Sequence, residues 1–466
     1  YGPIVYNKAP SVLKQLNFLV GEAAFRSGVR QFLDRHAYGN ATWRDLLSAI
    51  EGPAGRSLEA WGRQFILRPG MTEVEQRLEL SEGRIRRLLL QQRPAQPLSG
   101  PGPWPIRTQV LLAWADREPL LIPVELTGEV TEVPGVAGLP APSWLFANAG
   151  DYGYQLTLLD PATVGWLEHG GLGQVDDPFL RAMLWGALWD QVRTARMAPA
   201  RFVRAGLAMV PAEPDEQIVP SVLARLQRAM SAYLPAAERA VLEPEFEQTL
   251  RALAEDPSRP YGIRKAALDG FIQSAATPAA LNRLHGLLDA DSAAGEPVRD
   301  PTRWAVVNRL LVTGDNRADR ALARQRARDT TPDGIRRAFI AGAGRGAPET
   351  KREYFRRYFA DSTLNEDWAS GSLASFNALE HEELTRAWLR PALDSLRFIQ
   401  ANRRIFFLGS WLDAFLGGQT SPEAAELVAG WLAAHPDLPA DLRRKVLQYA
   451  DELDRTVRIR QAASRQ

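Results

Sequence analysis

Residues 73–80 read Glu-Val-Glu-Gln-Arg-Leu-Glu-Leu, and this stretch decides how the chain is organised. Apolar or amide side chains alternate with charged ones from Val74 to Leu80, which is the period of a strand with one buried face. The alternation returns over residues 122–127. Two connections rich in proline and glycine cannot continue a strand ladder: 94–105 and 134–142. We therefore predict a small β-sandwich over residues 71–142.

The sequence before this stretch has helical periodicity. Pro10 suits a first helical turn, and apolar residues then recur on one face: Val12, Leu13, Leu16 and Leu19. Thr42 places a capping hydroxyl before another apolar run, with the carboxylate of Asp45 three residues on. The helical pattern ends at Pro69-Gly70, so residues 1–70 are predicted to be helical.

After residue 142 the chain is rich in Ala, Leu and Arg, and its helical periodicity is interrupted at intervals by Pro and Gly. Segments such as 178–192, 219–233 and 422–434 each have the length of one helix. Because they share no strict repeat, we predict an irregular α-helical solenoid of HEAT/armadillo-like helix pairs over residues 143–466, with no strand pattern after residue 153. The predicted fold class is thus mainly α with a small β domain.

The composition narrows the possible functions. The 466 residues include 56 Lys+Arg and 55 Asp+Glu, a formal net charge of +1, which argues against a nucleic-acid partner. The absence of cysteine excludes disulfides, thiolate zinc sites and a cysteine nucleophile. No apolar run approaches the roughly 18 to 20 residues of a membrane span, so none is predicted. The compartment stays open, since such a chain suits a cytosolic or a periplasmic bacterial protein equally.

Few side chains form a recognisable chemical motif. His381-Glu382 begins like the zinc motif H-E-x-x-H, but the fifth position is Thr385, and a lone imidazole cannot hold zinc. Gly342–Gly346 is similar to a phosphate loop, yet it lacks a preceding strand and a Gly-Lys-Ser/Thr, so it predicts a helix–helix connection. Arginines interleaved with acids favour a solvated helix face over an anion site: Arg336, Arg337, Arg352, Arg356 and Arg357. No metal-binding or cofactor-binding residue is therefore predicted in this chain.

Residues 4–13, Ile-Val-Tyr-Asn-Lys-Ala-Pro-Ser-Val-Leu, together with residues 19–33, resemble the stretch of the aminopeptidase N family that carries its catalytic tyrosine. In these zinc gluzincin aminopeptidases a Tyr-x-Lys-Gly core leads into a helix and then a Gly-Glu-x-x-Phe-Arg turn, here Gly21–Arg26. Trp61–Gly70 resembles the end of the family's catalytic domain, and Ser143–Tyr154 resembles the entry to its helical C-terminal domain. The resemblance implies three domains: the helical end of the catalytic domain over 1–70, a β-sandwich over 71–142 and a superhelical domain over 143–466.

On this resemblance Tyr6 is the catalytic residue of the chain. The family tyrosine donates its hydroxyl to the oxyanion of the tetrahedral intermediate, a task that needs a neutral donor aimed where charge develops. Lys8 matches the motif lysine and is expected to be structural. Ala9 stands where the family has glycine, a departure that concerns local backbone geometry more than chemistry.

The family's H-E-x-x-H, its third zinc ligand (a downstream glutamate) and its motif for the substrate amine all lie upstream of the tyrosine. The resemblance therefore implies the C-terminal portion of a zinc-dependent aminopeptidase, with zinc in the full-length enzyme and none in this chain. The implied partners are the missing N-terminal portion and peptide substrates, and the chain alone is expected to be inactive. The alternative is a non-catalytic helical scaffold or protein-interaction module from the same family. Truncation also predicts a solvent-facing apolar patch that includes some of Val5, Val12, Leu16 and Phe25.

Overall fold

The computed structural model describes residues 2–361 and 363–465. The chain folds into two compact units, residues 1–191 and 192–466. Most of the described residues are helical and the strands form small sheets, which confirms the predicted fold class. The finer division at residues 70 and 142 stays a prediction.

Helices open the first unit. They are a π-helix Pro3–Lys8, α1 Ala9–Val20, α2 Glu22–Arg35, α3 Trp43–Ala54, α4 Glu59–Gly62 and a π-helical turn Arg63–Leu67. Gly21 separates α1 from α2 with a φ of 86°, a conformation that favours glycine. Thr42 caps α3 as predicted: its hydroxyl accepts from the Asp45 N–H at 3.4 Å, while the Asp45 carboxylate accepts from the Thr42 N–H at 2.7 Å.

A β-sandwich follows, and two more helices complete the unit. The elements are β1 Thr72–Ser81, β2 Arg84–Pro94, β3 Ile106–Ala113, β4 Leu120–Leu126, β5 Val130–Glu132, β6 Trp144–Phe146, β7 Gln155–Leu158, α5 Pro161–Glu168 and α6 Pro178–Arg193, which crosses the unit boundary. One sheet has the order β5-β2-β1-β7 and the other β4-β3-β6. Gln76 of β1 joins the sheets: its amide donates to the Leu145 carbonyl at 2.9 Å and accepts from the Ala147 N–H at 3.1 Å.

Four strands lie beyond residue 142, in the part of the chain predicted to be a helical domain. The prediction that no strand pattern returns after residue 153 is wrong for β7 and for the two-residue strands Ser292–Ala293 and Glu296–Pro297 (β8 and β9), while β6 lies just before that point. All three residues of β6 are buried, so no polar residue marks a period of two. β7 is only four residues long and pairs with β1 in parallel. Such short strands depend on their neighbours, which local periodicity does not reveal.

The helices before residue 70 and the sandwich share one hydrophobic core. Val12 and Leu16 of α1 belong to the same buried cluster as Val74, Leu88 and Leu112 of the strands. Val12 and Leu16, expected as candidates for an exposed patch, are therefore covered within this chain. Of the other two, Val5 is 45% exposed and Phe25 is partly buried against the core.

Arg68 ties the end of the helical segment to the loop that enters β3. Its guanidinium donates to every backbone carbonyl from Ser99 to Pro103, at distances between 2.8 and 3.2 Å. The guanidinium also lies over the Trp104 ring, 4.5 Å from its centroid. Because a planar fork with five N–H donors matches this set of carbonyls, lysine cannot replace it.

We expect Arg68→Ala to destabilise the first unit by about 2 to 3 kcal/mol, since several charge-assisted hydrogen bonds to the partly buried loop 99–103 are lost. Hydrogen exchange measured by mass spectrometry should accelerate over residues 97–104. The control is Arg63→Ala, which removes an exposed arginine that contacts only the surface Glu59 in the same turn. Equal protection in the two variants would contradict a bracing role for Arg68.

The second unit is an array of helix pairs. Its helices are α7 Pro199–Met209, α8 Ile218–Arg228, α9 Ala236–Glu255, α10 Tyr261–Ser274, α11 Pro278–Asp289, α12 Asp300–Thr313, α13 Ala318–Arg328, α14 Pro332–Gly342, α15 Pro348–Ala360, α16 Glu366–Phe376, α17 Glu382–Asp394, α18 Leu396–Asn402, α19 Ile405–Gly417, α20 Pro422–Ala434 and α21 Ala440–Ala463. One row packs in the order α8, α10, α12, α14, α16, α19, α21. Helices α9, α11, α13, α15 and α20 each pack on the helix that follows them. This arrangement confirms the predicted helix pairs.

A buried lysine lies among the helices of this array. Lys351 of α15 is fully buried, and its ammonium donates to the Ala343 carbonyl at 2.8 Å and to the Phe376 carbonyl at 2.7 Å. Those carbonyls follow or end α14 and α16, where helix dipoles favour a cation. Burial nevertheless lowers the pKa of Lys351 to about 7.

Candidate active-site surface around Tyr6

Tyr6 lies on the π-helix Pro3–Lys8, which runs into α1 without a break. A π-helix is wider than an α-helix, and single π-turns occur frequently at functional sites. The Tyr6 side chain is 77% exposed. Its hydroxyl has no hydrogen-bond partner among residues 2–361 and 363–465, so it is free to donate.

The surface around Tyr6 is apolar and open to solvent. Ile4 is 69% exposed and Leu13 is 39% exposed. Tyr6, Pro10 and Leu13 are spaced four and three residues apart, so they follow one side of the continuous helix. We call Ile4, Val5, Tyr6 and Leu13 the Tyr6 face.

The other side of α1 packs on a loop that follows β6, residues 148–154. Asn148 shapes this loop: its side chain accepts from the Gly153 N–H at 2.7 Å and donates to the Gly153 carbonyl at 3.0 Å. The Thr108 hydroxyl of β3 also donates to the Asn148 side chain, at 3.1 Å. Gly150, with a φ of 78°, and Asp151, with a φ of 55°, make the tight turn between Asn148 and Gly153. The sandwich thus fixes the loop on which α1 rests.

Three contacts hold the helix to this loop. Gln15, almost fully buried, accepts the Tyr154 N–H at 3.0 Å. The Phe18 ring stacks on the Tyr152 ring with centroids 3.9 Å apart and planes at 8°. The Lys8 ammonium lies 5.7 Å from the centroid of the Tyr154 ring. The last residue of the π-helix and the middle of α1 are therefore held by the same tyrosine.

A second lysine strengthens the contact. Lys14 lies 3.9 Å from the Asp151 carboxylate, 5.6 Å from the Tyr152 ring centroid and 4.7 Å from the Phe179 ring centroid. Burial raises the pKa of Asp151, and Lys14 opposes this shift. Burial also lowers the pKa of Lys8. Both shifts show charges that are partly withdrawn from water at this junction.

The sequence identified the two halves of this surface but not how they meet. It selected Tyr6 and, separately, the segment Ser143–Tyr154, and the structure brings both together. The aromatic and amide contacts of Gln15, Phe18 and Tyr152 were missed. The pattern Tyr152-Gly153-Tyr154, which follows Asn148, is the signal that could have marked the loop. Aromatic side chains carry large apolar surfaces, so two of them in a short loop indicate packing on another segment.

The histidine and glycine motifs have structural roles. His381 immediately precedes α17, and its carbonyl accepts from the Thr385 hydroxyl at 3.2 Å. Gly342–Gly346 joins α14 to α15, which confirms the predicted helix–helix connection. Arg336 contacts Asp333 at 3.4 Å, and Arg357 contacts Asp361, which directly follows its own helix α15, at 3.2 Å. These arginines pair with nearby acids of their own helix or its end.

Within residues 2–361 and 363–465, no three His, Asp or Glu side chains are grouped so that they could hold a metal ion. The described part of the chain therefore does not fit a catalytic zinc, which needs three protein ligands. In that same part, no helix is long and apolar enough to cross a membrane.

We expect the purified 466-residue chain to retain well below one zinc per molecule after dialysis, because no ligand set converges. Elemental analysis of the dialysed protein gives this ratio directly. A stoichiometric metal that survives dialysis would mean that ligands from distant segments meet in solution.

A tyrosine-bearing helical turn on a β-sandwich, followed by an array of helix pairs, is the arrangement that the comparisons with known proteins connect to a class of peptidases. Residues 1–65 match the family described as Peptidase family M1 domain, and residues 144–455 match the ERAP1-like C-terminal domain. The chain belongs to the aminopeptidase N family and corresponds to its C-terminal portion.

Individual relatives agree with this assignment. The chain is 29% identical over 479 residues to Aminopeptidase N of Streptomyces lividans, which covers 98% of this chain and 55% of that protein. It is 32% identical over 111 residues to the Tricorn protease-interacting factor F2 of Thermoplasma acidophilum, covering 24% of this chain and 14% of the relative. It is 39% identical over 67 residues to Probable aminopeptidase 1 of Saccharolobus solfataricus, covering 14% and 8%. The chain thus spans about half the length of the Streptomyces relative and less of the others.

Proposed function

We propose that this chain is the C-terminal portion of a zinc-dependent aminopeptidase that removes N-terminal residues from peptides. The observation that carries the proposal is the exposed hydroxyl of Tyr6 on a π-helix whose opposite side is fixed to the sandwich. The matches to peptidase family M1, whose aminopeptidases are generally zinc enzymes, support the same reaction class.

Tyr6 acts as the hydrogen-bond donor to the oxyanion. When a peptide carbonyl becomes tetrahedral, negative charge develops on its oxygen, and a fixed neutral donor stabilises that charge. A tyrosine hydroxyl supplies such a donor at the end of a rigid ring. Because the hydroxyl has no partner in the described part of the chain, no internal hydrogen bond must break first.

The partner of the Tyr6 face is the portion of the family that carries H-E-x-x-H. Exposed apolar side chains on a catalytic surface are typical of a face that another protein segment covers. Ile4, Val5 and Leu13 offer such a face beside the tyrosine. The sequence contains no H-E-x-x-H, so the chain alone is proposed to be inactive.

The test uses the protein translated from the complete gene, beside the 466-residue chain. We expect the first to release amines from aminoacyl amides, to lose this activity with a chelator and to regain it with zinc. We expect the 466-residue chain to be inactive. A complete protein with a degenerate zinc motif and no activity would contradict this proposal and favour the alternative, a non-catalytic scaffold.

A further inference from the structure

Tyr154 contacts both parts of the helix that presents Tyr6. Its ring lies under the ammonium of Lys8, the last residue of the π-helix, 5.7 Å from the ring centroid. Its backbone N–H donates to Gln15 of α1 at 3.0 Å. Lys8 and Gln15 are seven residues apart, about two helical turns, so both reach the same side of the helix.

The Tyr6 side chain makes no hydrogen bond of its own that would fix its position in the described ranges. It is 77% exposed. Lys8 follows Tyr6 by two residues within one π-turn, so the backbone that carries Tyr6 moves with Lys8. A partly desolvated cation–π contact is stronger than an exposed one, and the lowered pKa of Lys8 shows this desolvation.

We propose that Tyr154 is a positioning residue for Tyr6: the Lys8–Tyr154 contact fixes the π-helix so that the Tyr6 hydroxyl meets the oxyanion. The inference rests on the proposed function and extends it to a residue of the sandwich loop. Tyr154 touches no reacting atom, and its effect passes through Lys8 and the π-helix.

A double-mutant cycle in the full-length zinc enzyme tests this inference. Tyr154→Leu removes the ring and keeps the backbone N–H, so we expect kcat to fall about tenfold or more with KM nearly unchanged, because small misplacements of a catalytic group are costly. Tyr154→Phe keeps the ring and should recover most of the loss. In a Tyr6→Phe background, Tyr154→Leu should cost almost nothing further, since it acts through the absent hydroxyl. Tyr38→Leu, which removes a fully exposed tyrosine ring of the first unit, is the control and should leave kcat unchanged.

Equal losses from Tyr154→Leu in the wild-type and Tyr6→Phe backgrounds would overturn the inference, because they would show a general structural effect. A wild-type enzyme without any aminopeptidase activity would instead overturn the proposed function.

A second measurement does not need activity. Lys8→Met removes the cation and leaves the Tyr154 packing intact, so it should fold even if Tyr154→Leu does not. In the 466-residue chain we expect Lys8→Met to accelerate amide exchange over residues 4–8 severalfold while leaving β1 and β2 unchanged. Unchanged exchange over residues 4–8 would show that Lys8–Tyr154 does not hold the π-helix.

Discussion

Replacing Tyr6 with Phe in the full-length enzyme is expected to lower kcat about 10²- to 10³-fold, on the order of 3 to 4 kcal/mol, with KM nearly unchanged. The substitution removes one hydroxyl and keeps the ring. The lost hydrogen bond forms mainly in the transition state, so ground-state binding of the peptide changes little. Steady-state kinetics on an aminoacyl amide measure both parameters.

Tyr38→Phe is the matched control for this substitution. Tyr38 is a fully exposed tyrosine of the same unit, so removing its hydroxyl should leave kcat as in the wild type. Near-normal turnover by the Tyr6→Phe enzyme would remove Tyr6 from the mechanism, and with it the residue that links this surface to peptide hydrolysis.

The stability of the second unit is expected to rise with pH above neutrality because of Lys351. Its pKa is lowered from 10.5 to about 7 in the folded state, so between these values the unfolded chain binds one proton that the folded chain does not. Stability then increases with pH by up to about 1.4 kcal/mol per unit. Burial of the charged lysine destabilises the folded state most below about pH 7, by on the order of 4 to 5 kcal/mol. This destabilisation decreases as the pH rises toward 10.5.

The measurement compares wild type with Lys351→Met by denaturant unfolding at two pH values. Between about pH 7 and 9, the stability of the wild type relative to the variant should rise by roughly 2 to 3 kcal/mol. This difference does not depend on the constant effect of leaving the Ala343 and Phe376 carbonyls without a donor. Burial lowers the pKa of the neighbouring His381, so its titration falls below this window.

Lys445→Met gives the control, because Lys445 is an exposed lysine of α21. Its pH profile should parallel that of the wild type. A wild type and a Lys351→Met variant with parallel profiles would show that the ammonium stays charged in the folded array.

Local periodicity predicted the elements that repeat a pattern over several residues. The alternation over residues 73–80 and 122–127 corresponds to β1 and β4, and the capping pair Thr42 and Asp45 marks the start of α3. β6 and β7 were missed because they have only three and four residues, too few to show a period of two. Their existence depends on pairing with β3 and β1, which are distant in sequence.

The candidate site was predictable to a similar extent. Tyr6 could be selected because its neighbours form a linear motif. Tyr154 and Gln15 could not be paired, since 139 residues separate them and only the folded sandwich brings them together. Lys351 gave no sequence signal at all, because a lysine among charged residues of a helix normally reaches solvent.

The common core of helices α1 to α4 and the sandwich limits how this protein can be recombined with its relatives. A graft joined at Pro69-Gly70 would transplant half of a core, so Val12 and Leu16 would have to pack on strands with different side chains. It would also separate Arg68 from the loop whose carbonyls it binds. A graft joined in the short segment 194–198 after α6 would instead carry residues 1–191 as one piece. Tyr6, its helix and the sandwich loop that holds this helix should therefore be moved as one piece.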